Sequence, residues 1–206
     1  LDLTSFLTAK ENMTYDEVLF QKASLQQASF FRIYKWGSPG ITQTCKRAIP
    51  DFLMGYDVSS RLTGGGIVFH SPGDIVWSLG GSLSDASLPL GTKEKMQWVS
   101  DSFKMALSSL GVAVDNMVTN TSSKDITYCA TYYNPYELYV KGEKVFGFAL
   151  KKIRTAFIFQ GVLHCSSSLP YFQDVSDYCG SYFTKGLSLT IDYSLFFDTI
   201  FQQFKK

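Results

Sequence analysis

Apolar residues recur at helical spacing in three stretches of the chain and at strand spacing in several others. From Thr92 to Leu110, Met96, Val99, Phe103, Ala106, Leu107 and Leu110 fall at steps of three and four, which predicts an amphipathic helix. Thr92 is placed to cap its start and Gly111 to end it. Tyr193, Phe196, Phe197, Ile200, Phe201 and Phe204 keep the same period and predict a C-terminal helix. A third helix over Glu11 to Ser24 gathers Met13, Leu19 and Phe20 on one side. Between the helices lie strand-like runs. Phe30 to Tyr34 is stopped by the turn Trp36-Gly37-Ser38-Pro39-Gly40. Ile67–His70 and Ile75–Leu79 flank Ser71-Pro72-Gly73-Asp74 and read as a hairpin. Tyr136–Val140 and Lys144–Leu150 flank Lys141-Gly142-Glu143 as a second hairpin, and Ala156 to Cys165 adds one more strand. Asp115 to Thr131 is polar and reads as a surface loop with a short candidate strand at Ile126. This order predicts one α+β domain over residues 1–206, a mixed, mainly antiparallel sheet with helices packed on one face, and no accessory C-terminal domain.

Composition narrows the class. Hydrophobic residues are 45% and charged residues 18% of 206, which excludes a wholly disordered chain. Nineteen Lys+Arg against eighteen Asp+Glu leave a net charge of +1, so no global field grips nucleic acid or an anionic membrane. Lys151, Lys152 and Arg154 read as a solvated strand end. Four cysteines (Cys45, Cys129, Cys165, Cys179) and two histidines (His70, His164) lack zinc-ligand spacing, and no metal ligands are assigned. The chain shows no basic-then-apolar leader pattern and no apolar run of ~18 residues. A cytoplasmic chain with reduced thiols is the expectation, and there a cysteine near polar groups is a candidate nucleophile.

Two stretches suggest chemistry. Gly64-Gly65-Gly66 removes three side chains at the start of a strand, so backbone N–H groups can meet a carboxylate or phosphate closely. Arg61 before it and His70 at the strand's end turn a bare glycine turn into a candidate anion cradle. No Gly-Lys-Ser/Thr follows, so it is not a P-loop. Lys144 adds a cation after a tight turn, with Gly147 three residues on.

Taken in order, these blocks resemble the lipoate–protein ligase and octanoyltransferase family, part of the biotin/lipoate ligase superfamily. Arg61-x-Thr63-Gly64-Gly65-Gly66-Ile67-Val68-Phe69-His70-x-x-Gly73-Asp74 looks like its Arg-Arg-x-(Ser/Thr)-Gly-Gly-Gly-x-Val-Phe-His block. Gly142-x-Lys144-Val145-x-Gly147-x-Ala149 looks like Gly-x-Lys-Val-x-Gly-Ser-Ala, and Arg154 to Leu163 is similar to Arg-Gly-Ala-Phe-Leu-His-His-Gly-Thr-Leu. Asn12-Met13-x-x-Asp16-Glu17 and Phe31-Arg32-Ile33-Tyr34-x-Trp36 match the opening helix and first strand, so the likeness spans roughly residues 10 to 165. The resemblance implies a biotin/lipoate ligase-like catalytic domain that joins a lipoyl or octanoyl group to a lysine of a lipoyl domain. Such domains belong to the 2-oxoacid dehydrogenase complexes or to the glycine cleavage H protein. It also implies that Lys144 binds the acyl carbonyl or adenylate phosphate, and that Arg61, Gly64, Gly65, Gly66, His70, Gly147, Ala149 and Gly161 line the substrate pocket.

Two routes follow from the resemblance. The leading reading is an ATP- and Mg2+-dependent ligase that passes through lipoyl-adenylate, in keeping with the full glycine block. The alternative is an octanoyltransferase or lipoyl amidotransferase that needs no cofactor, with an acyl carrier protein among its donors. Cys129 would then be the thioester nucleophile, since it stands eight residues before Glu137 in a Tyr-Glu-Leu strand as in one transferase branch. Cys179-Gly180 resembles the other branch less closely. Departures from the family touch both routes. Leu62 replaces the second arginine, Phe148 replaces a small serine and is expected to narrow the pocket, and Phe159-Gln160 replaces His-His. Asn134-Pro135-Tyr136-Glu137 stands where ligases carry Gly-Arg-Asn-Asp, and the biotin ligases' adenylate loop is absent. A non-catalytic acyl- or carrier-binding protein is the third reading.

Overall fold

The computed structural model describes residues 2–5, 7–115, 127–187 and 191–204. Strands β1 (Asp2–Ser5), β2 (Phe30–Lys35), β6 (Ile75–Ser82), β7 (Leu138–Val140), β8 (Glu143–Lys152) and β9 (Ala156–Leu163) form one sheet in the order β1-β2-β6-β9-β8-β7. A smaller sheet has the order β4-β3-β5, from β3 (Gly40–Thr44), β4 (Asp57–Arg61) and β5 (Val68–His70). The β1–β2 and β3–β4 pairs are parallel and the others antiparallel. The mixed, mainly antiparallel α+β expectation therefore holds.

Helices lie on both faces of the large sheet, not on one as expected. The cause is that β2, β6 and β9 are buried along nearly their whole length, so neither face can be left to water. Phe31, Ile33, Trp77, Leu79, Phe157 and Phe159 pack with Val99 and Phe103 of α2 (Thr92–Ser109) and with Phe196 and Ile200 of α4 (Tyr193–Phe204). The alternate residues Tyr34, Val76 and Val162 meet Ala9 and Met13 of α1 (Ala9–Gln26) on the opposite face. That period-two division is what a doubly covered strand produces. The small sheet has its own core, where Ile41, Ile67 and Phe69 pack with Phe172, Val175 and Cys179 around α3 (Ser176–Cys179).

Two local expectations are corrected. β5 and β6 do not form a hairpin: β5 pairs with β3, while β6 is flanked by β2 and β9. The turn at Ser71–Asp74 forms, with Asp74 N–H donating to Ser71 C=O at 3.0 Å, but both neighbouring edges of β6 are already taken, so the chain changes sheets there. Thr92 is not the cap of α2; Gly91 is, and no side chain caps that end. Gly111 does end the helix. Its N–H bonds Ser108 C=O and the next N–H, of Val112, bonds Leu107 C=O, closing the last turn. The second hairpin forms as expected, with Val140 opposite Glu143.

The polar stretch after α2 is only partly described, and Ile126 lies outside the described residues. Its end is tied down. Tyr128 makes a parallel bridge to Ile67, and Cys129–Thr131 forms a single 3-10 turn.

Candidate active site

Between the small sheet and the α1 face of the large one lies a cavity of about 430 Å³. Arg61, Gly64, Gly65, His70, Cys129, Lys144, Gly147, Ala149 and Gly161 all line it; Gly66 takes part through its backbone.

The glycine loop is shaped by Arg61 and Cys129. The Arg61 guanidinium donates to the carbonyls of Gly64 (2.8 Å) and Gly66 (2.7 Å), and on its other side to the carbonyl and hydroxyl of Thr42 (2.9 and 3.2 Å). It thus fixes the loop instead of standing open for an anion. The Gly66 N–H donates to Cys129 Sγ at 3.1 Å, and Arg61 Nη2 lies 3.8 Å from the same sulfur. Gly65 has a φ of +95°, and a Cβ there would sit 3.0 Å from Arg61 Nη2 and 3.1 Å from Cys129 Sγ. Both the backbone angle and the crowding demand glycine. Burial lowers the Arg61 pKa, and Cys129 beside it works the other way.

Lys144 enters from β8. Its ammonium pairs with Glu137 Oε1 at 2.7 Å and donates to the carbonyls of Cys129 (2.7 Å) and Tyr132 (2.9 Å). The lysine therefore grips the turn that carries the thiol by its backbone, while the Arg61 guanidinium lies 3.8 Å from the sulfur itself. Glu137 Oε2 accepts from Asn134 N–H (3.1 Å) and Tyr139 O–H (3.3 Å). Burial raises the Glu137 pKa against the opposing pull of Lys144. A Cβ at Gly147 would stand 3.0 Å from Lys144 Cε and 3.4 Å from Glu137 Oε1, so the missing side chain makes room for this ion pair.

Gly161 has a packing role besides lining the cavity: a Cβ there would lie 2.4 Å from Trp77 Cζ2. Phe148 lines the cavity while its ring leans into the aromatic core, 5.4 Å from Phe146 and 5.6 Å from Phe159. His70 is buried, with Nε2 2.9 Å from Thr42 Oγ1 and Nδ1 without a hydrogen-bond partner among the described residues. Burial above all, then His164 and Arg61, pushes its pKa well down, so His70 is neutral and does not present a positive charge.

Several polar groups in and behind the cavity wall were given no site role from the sequence. Gln160, standing where a histidine was expected, donates to Asp16 Oδ2 (2.8 Å) and accepts from the Thr63 hydroxyl (3.1 Å). Asp16 also pairs with Arg32 (2.8 Å) and accepts from Ser78 (2.8 Å). Asp74, read as a turn residue that closes the glycine block, is 3.1 Å from His164 Nδ1. These partners lie far apart in the chain; Glu137 was named only within the runs Tyr-Glu-Leu and Asn134-Pro135-Tyr136-Glu137. No group of three or more His, Cys, Asp or Glu gathers as a metal site among the described residues.

The lipoyl protein ligase A/B catalytic domain model matches residues 8–187. Among solved structures, the bipartite lipoate protein ligase of Thermoplasma acidophilum, solved with its E2 lipoyl domain, is 16% identical with a TM-score of 0.67; the alignment covers 98% of this chain and 81% of that one. A lipoate-protein ligase A bound with ATP is 15% identical with a TM-score of 0.67, over 100% and 82% of the two chains. The biotin acetyl coenzyme A carboxylase synthetase of Helicobacter pylori is 13% identical with a TM-score of 0.52, over 98% and 73%. At these identities the structural likeness speaks for the fold. No curated protein sequence matches the chain. The family match takes in the glycine loop, the Cys129 turn and Lys144 together, and by it the chain belongs to the lipoyl protein ligase A/B catalytic-domain family.

Proposed function

We propose that this protein moves a lipoyl or octanoyl group from a thioester donor to a lysine of a lipoyl domain, with Cys129 as the transient acyl carrier. The observation that carries this reading is the setting of the Cys129 sulfur. It sits in the cavity wall, receives the Gly66 N–H at 3.1 Å and lies 3.8 Å from the Arg61 guanidinium. A backbone donor and a fixed cation stabilise a thiolate, the form that attacks. Attack on the donor thioester forms the Cys129 Sγ–acyl bond, breaks the donor C–S bond and releases the donor thiol with the proton Cys129 gave up. Lys144 positions the Cys129 turn. Exchanging one of its two backbone carbonyls for the acyl oxygen would put the ammonium on the developing charge. The acyl chain would then lie along the apolar wall of Met13, Val76 and Val162.

Acyl carrier protein is the proposed donor. The proposed acceptors are lipoyl domains of 2-oxoacid dehydrogenase complexes or the glycine cleavage H protein, supported by the archaeal relative solved with its E2 lipoyl domain. All four thiols are unpaired, the state a reducing compartment maintains, and the cytoplasm is the proposed location.

The ATP-bound relative favours a second reading, ligation through lipoyl-adenylate. Lys144 and the Gly64–Gly66 backbone would then hold the nucleotide phosphates. Intact mass of an apo lipoyl domain separates the two. Under the thioester reading the domain gains an octanoyl group from octanoyl-carrier protein without ATP, the enzyme itself is caught as an acyl adduct, and Cys129→Ala abolishes both. Lipoylation only with lipoate, ATP and Mg2+, undiminished in Cys129→Ala, would overturn it in favour of the ligase. Tight acyl binding with no transfer by either route would leave a binding protein.

A further inference from the structure

The Asp74–His164 pair has no part in the chemistry described so far, although His164 lines the same cavity as Cys129 and Lys144. Asp74 is wholly buried. Its carboxyl accepts the N–H of Ser71 (2.9 Å) on Oδ2 and those of Cys165 (2.9 Å) and Ser166 (3.4 Å) on Oδ1. With three backbone donors aimed at it, the group faces His164 Nδ1, 3.1 Å away, as an acceptor. Neutral His164 must therefore carry its proton on Nδ1, which leaves the lone pair on Nε2. That nitrogen has no protein partner among the described residues, and the ring lines the cavity. The same three features define the histidine bases of hydrolases: a buried carboxylate, a fixed tautomer and an open Nε2.

Strand geometry places His164 in the same cavity wall as Cys129 and Lys144. Gln160, Val162 and His164 alternate onto the cavity face at the end of β9. The His164 N–H bonds the Val145 carbonyl at 2.7 Å, so the histidine stands across β8 from the residue next to Lys144, one strand spacing of about 4.8 Å away. The nearby His70 is held neutral by burial and does not compete as a charged group.

We propose that His164, oriented by Asp74, is the general base that deprotonates the acceptor lysine. This rests on acyl transfer to a lysine and applies equally to a thioester and an adenylate. A lysine arrives as an ammonium ion, which has no lone pair to attack with. Nε2 takes one proton, and the freed amine attacks the acyl carbon. The C–N bond forms and the C–S bond breaks with its electron pair on Cys129, which takes the second amine proton. His164 then returns the first proton to solvent. Asp74 acts as the positioning residue.

Hydroxylamine, neutral at neutral pH, provides the test because it needs no base to become a nucleophile. Octanoyl transfer from the thioester donor is followed by mass to a lipoyl domain and, separately, to hydroxylamine. His164→Gln should lower transfer to the lipoyl domain by about 10²- to 10⁴-fold while leaving hydroxamate formation unchanged. Asp74→Asn should show the same split, since an amide can favour the wrong tautomer, and its hydroxamate rate reports whether the site has stayed folded. Equal loss toward both acceptors, or loss toward neither, would overturn the assignment. Wild-type protein inert toward both would instead overturn the acyl-transfer reading, and this inference with it.

Discussion

The two faces of the large sheet differ more than any other two regions of the molecule. On the α2 and α4 face, β6, β8 and β9 contribute Trp77, Phe146 and Phe159 to a packed aromatic layer, with the Phe103 and Phe146 rings 4.4 Å apart. On the other face the same strands present Ser78, Gln160 and His164, and Arg32 of β2 lies buried beside them with Asp16 of α1. One face is held by area removed from water, which is non-directional and tolerant of repacking. The other sets specific donors and acceptors, each of which is costly to orphan, beside an apolar patch of Tyr34, Val76 and Val162 packed on α1. A sheet alternating with period two can thus assign stability to one face and chemistry to the other, residue by residue.

The sharpest way to separate the faces is Cys129→Ala. It should cut acyl transfer by about 10⁴-fold or more while leaving the urea midpoint near wild type, because the thiol lies outside both faces' packing. Phe103→Ala should do the reverse. It empties part of the aromatic layer and should cost about 3–5 kcal/mol of unfolding free energy, with kcat little changed in the folded fraction. Asp16→Asn tests whether the polar face also bears load. Both side chains of the Asp16–Arg32 pair are fully buried, so leaving Arg32 uncompensated should cost about 3–5 kcal/mol, read by chemical denaturation. Gly161→Ala joins the two faces. The new methyl would collide with Trp77 on the aromatic side and should cost about 1–3 kcal/mol, so thermal stability falls before activity does.

The smallest effect is titration of His70. Its folded pKa is well below 6.5, so below that pH the unfolded chain binds a proton that the folded chain refuses. Stability contributed by the neutral ring is complete above pH 6.5 and falls as the solution is acidified, by up to about 1.4 kcal/mol per pH unit until the folded pKa is reached. Urea denaturation of wild type and His70→Gln at neutral and mildly acidic pH should converge in stability difference by that slope. Parallel curves would show that His70 titrates in place.

Much of this division was legible in the residues. The period-two and helical spacings gave β2 and β5 to β9, the three long helices and the second hairpin, but not β1, β3 or β4, and the motif order pointed to the loop, the thiol and the lysine. What escaped had two causes. Sheet membership was one, because the turn after His70 looks the same whether the next strand folds back or crosses to another sheet. Pairing over distance was the other. Asp74 and His164 stand 90 positions apart, and nothing near either announces its partner. Arg61 was expected in the pocket, but its grip on the glycine carbonyls depends on where Thr42 and Gly66 meet in space. The role of Gly161 beneath Trp77 is invisible for the same reason.

The bridge between Ile67 and Tyr128 also bears on when the protein becomes reactive during its own folding. β8 and β9 are joined by a turn of three residues, 153–155, and can pair early. The bridge instead closes a loop of about 60 residues and bears a larger closure entropy, rising as the logarithm of loop length. Long-range contacts of this kind belong to the slow part of a folding reaction. The sulfur meets the Gly66 N–H only once that closure is made, so the thiol acquires its activating neighbours with the long-range contacts, after locally closed pairs such as β8–β9. A nascent or partly unfolded chain carries an ordinary cysteine, and reactivity toward an alkylating probe should rise late in refolding, as a clock for completion of the native state.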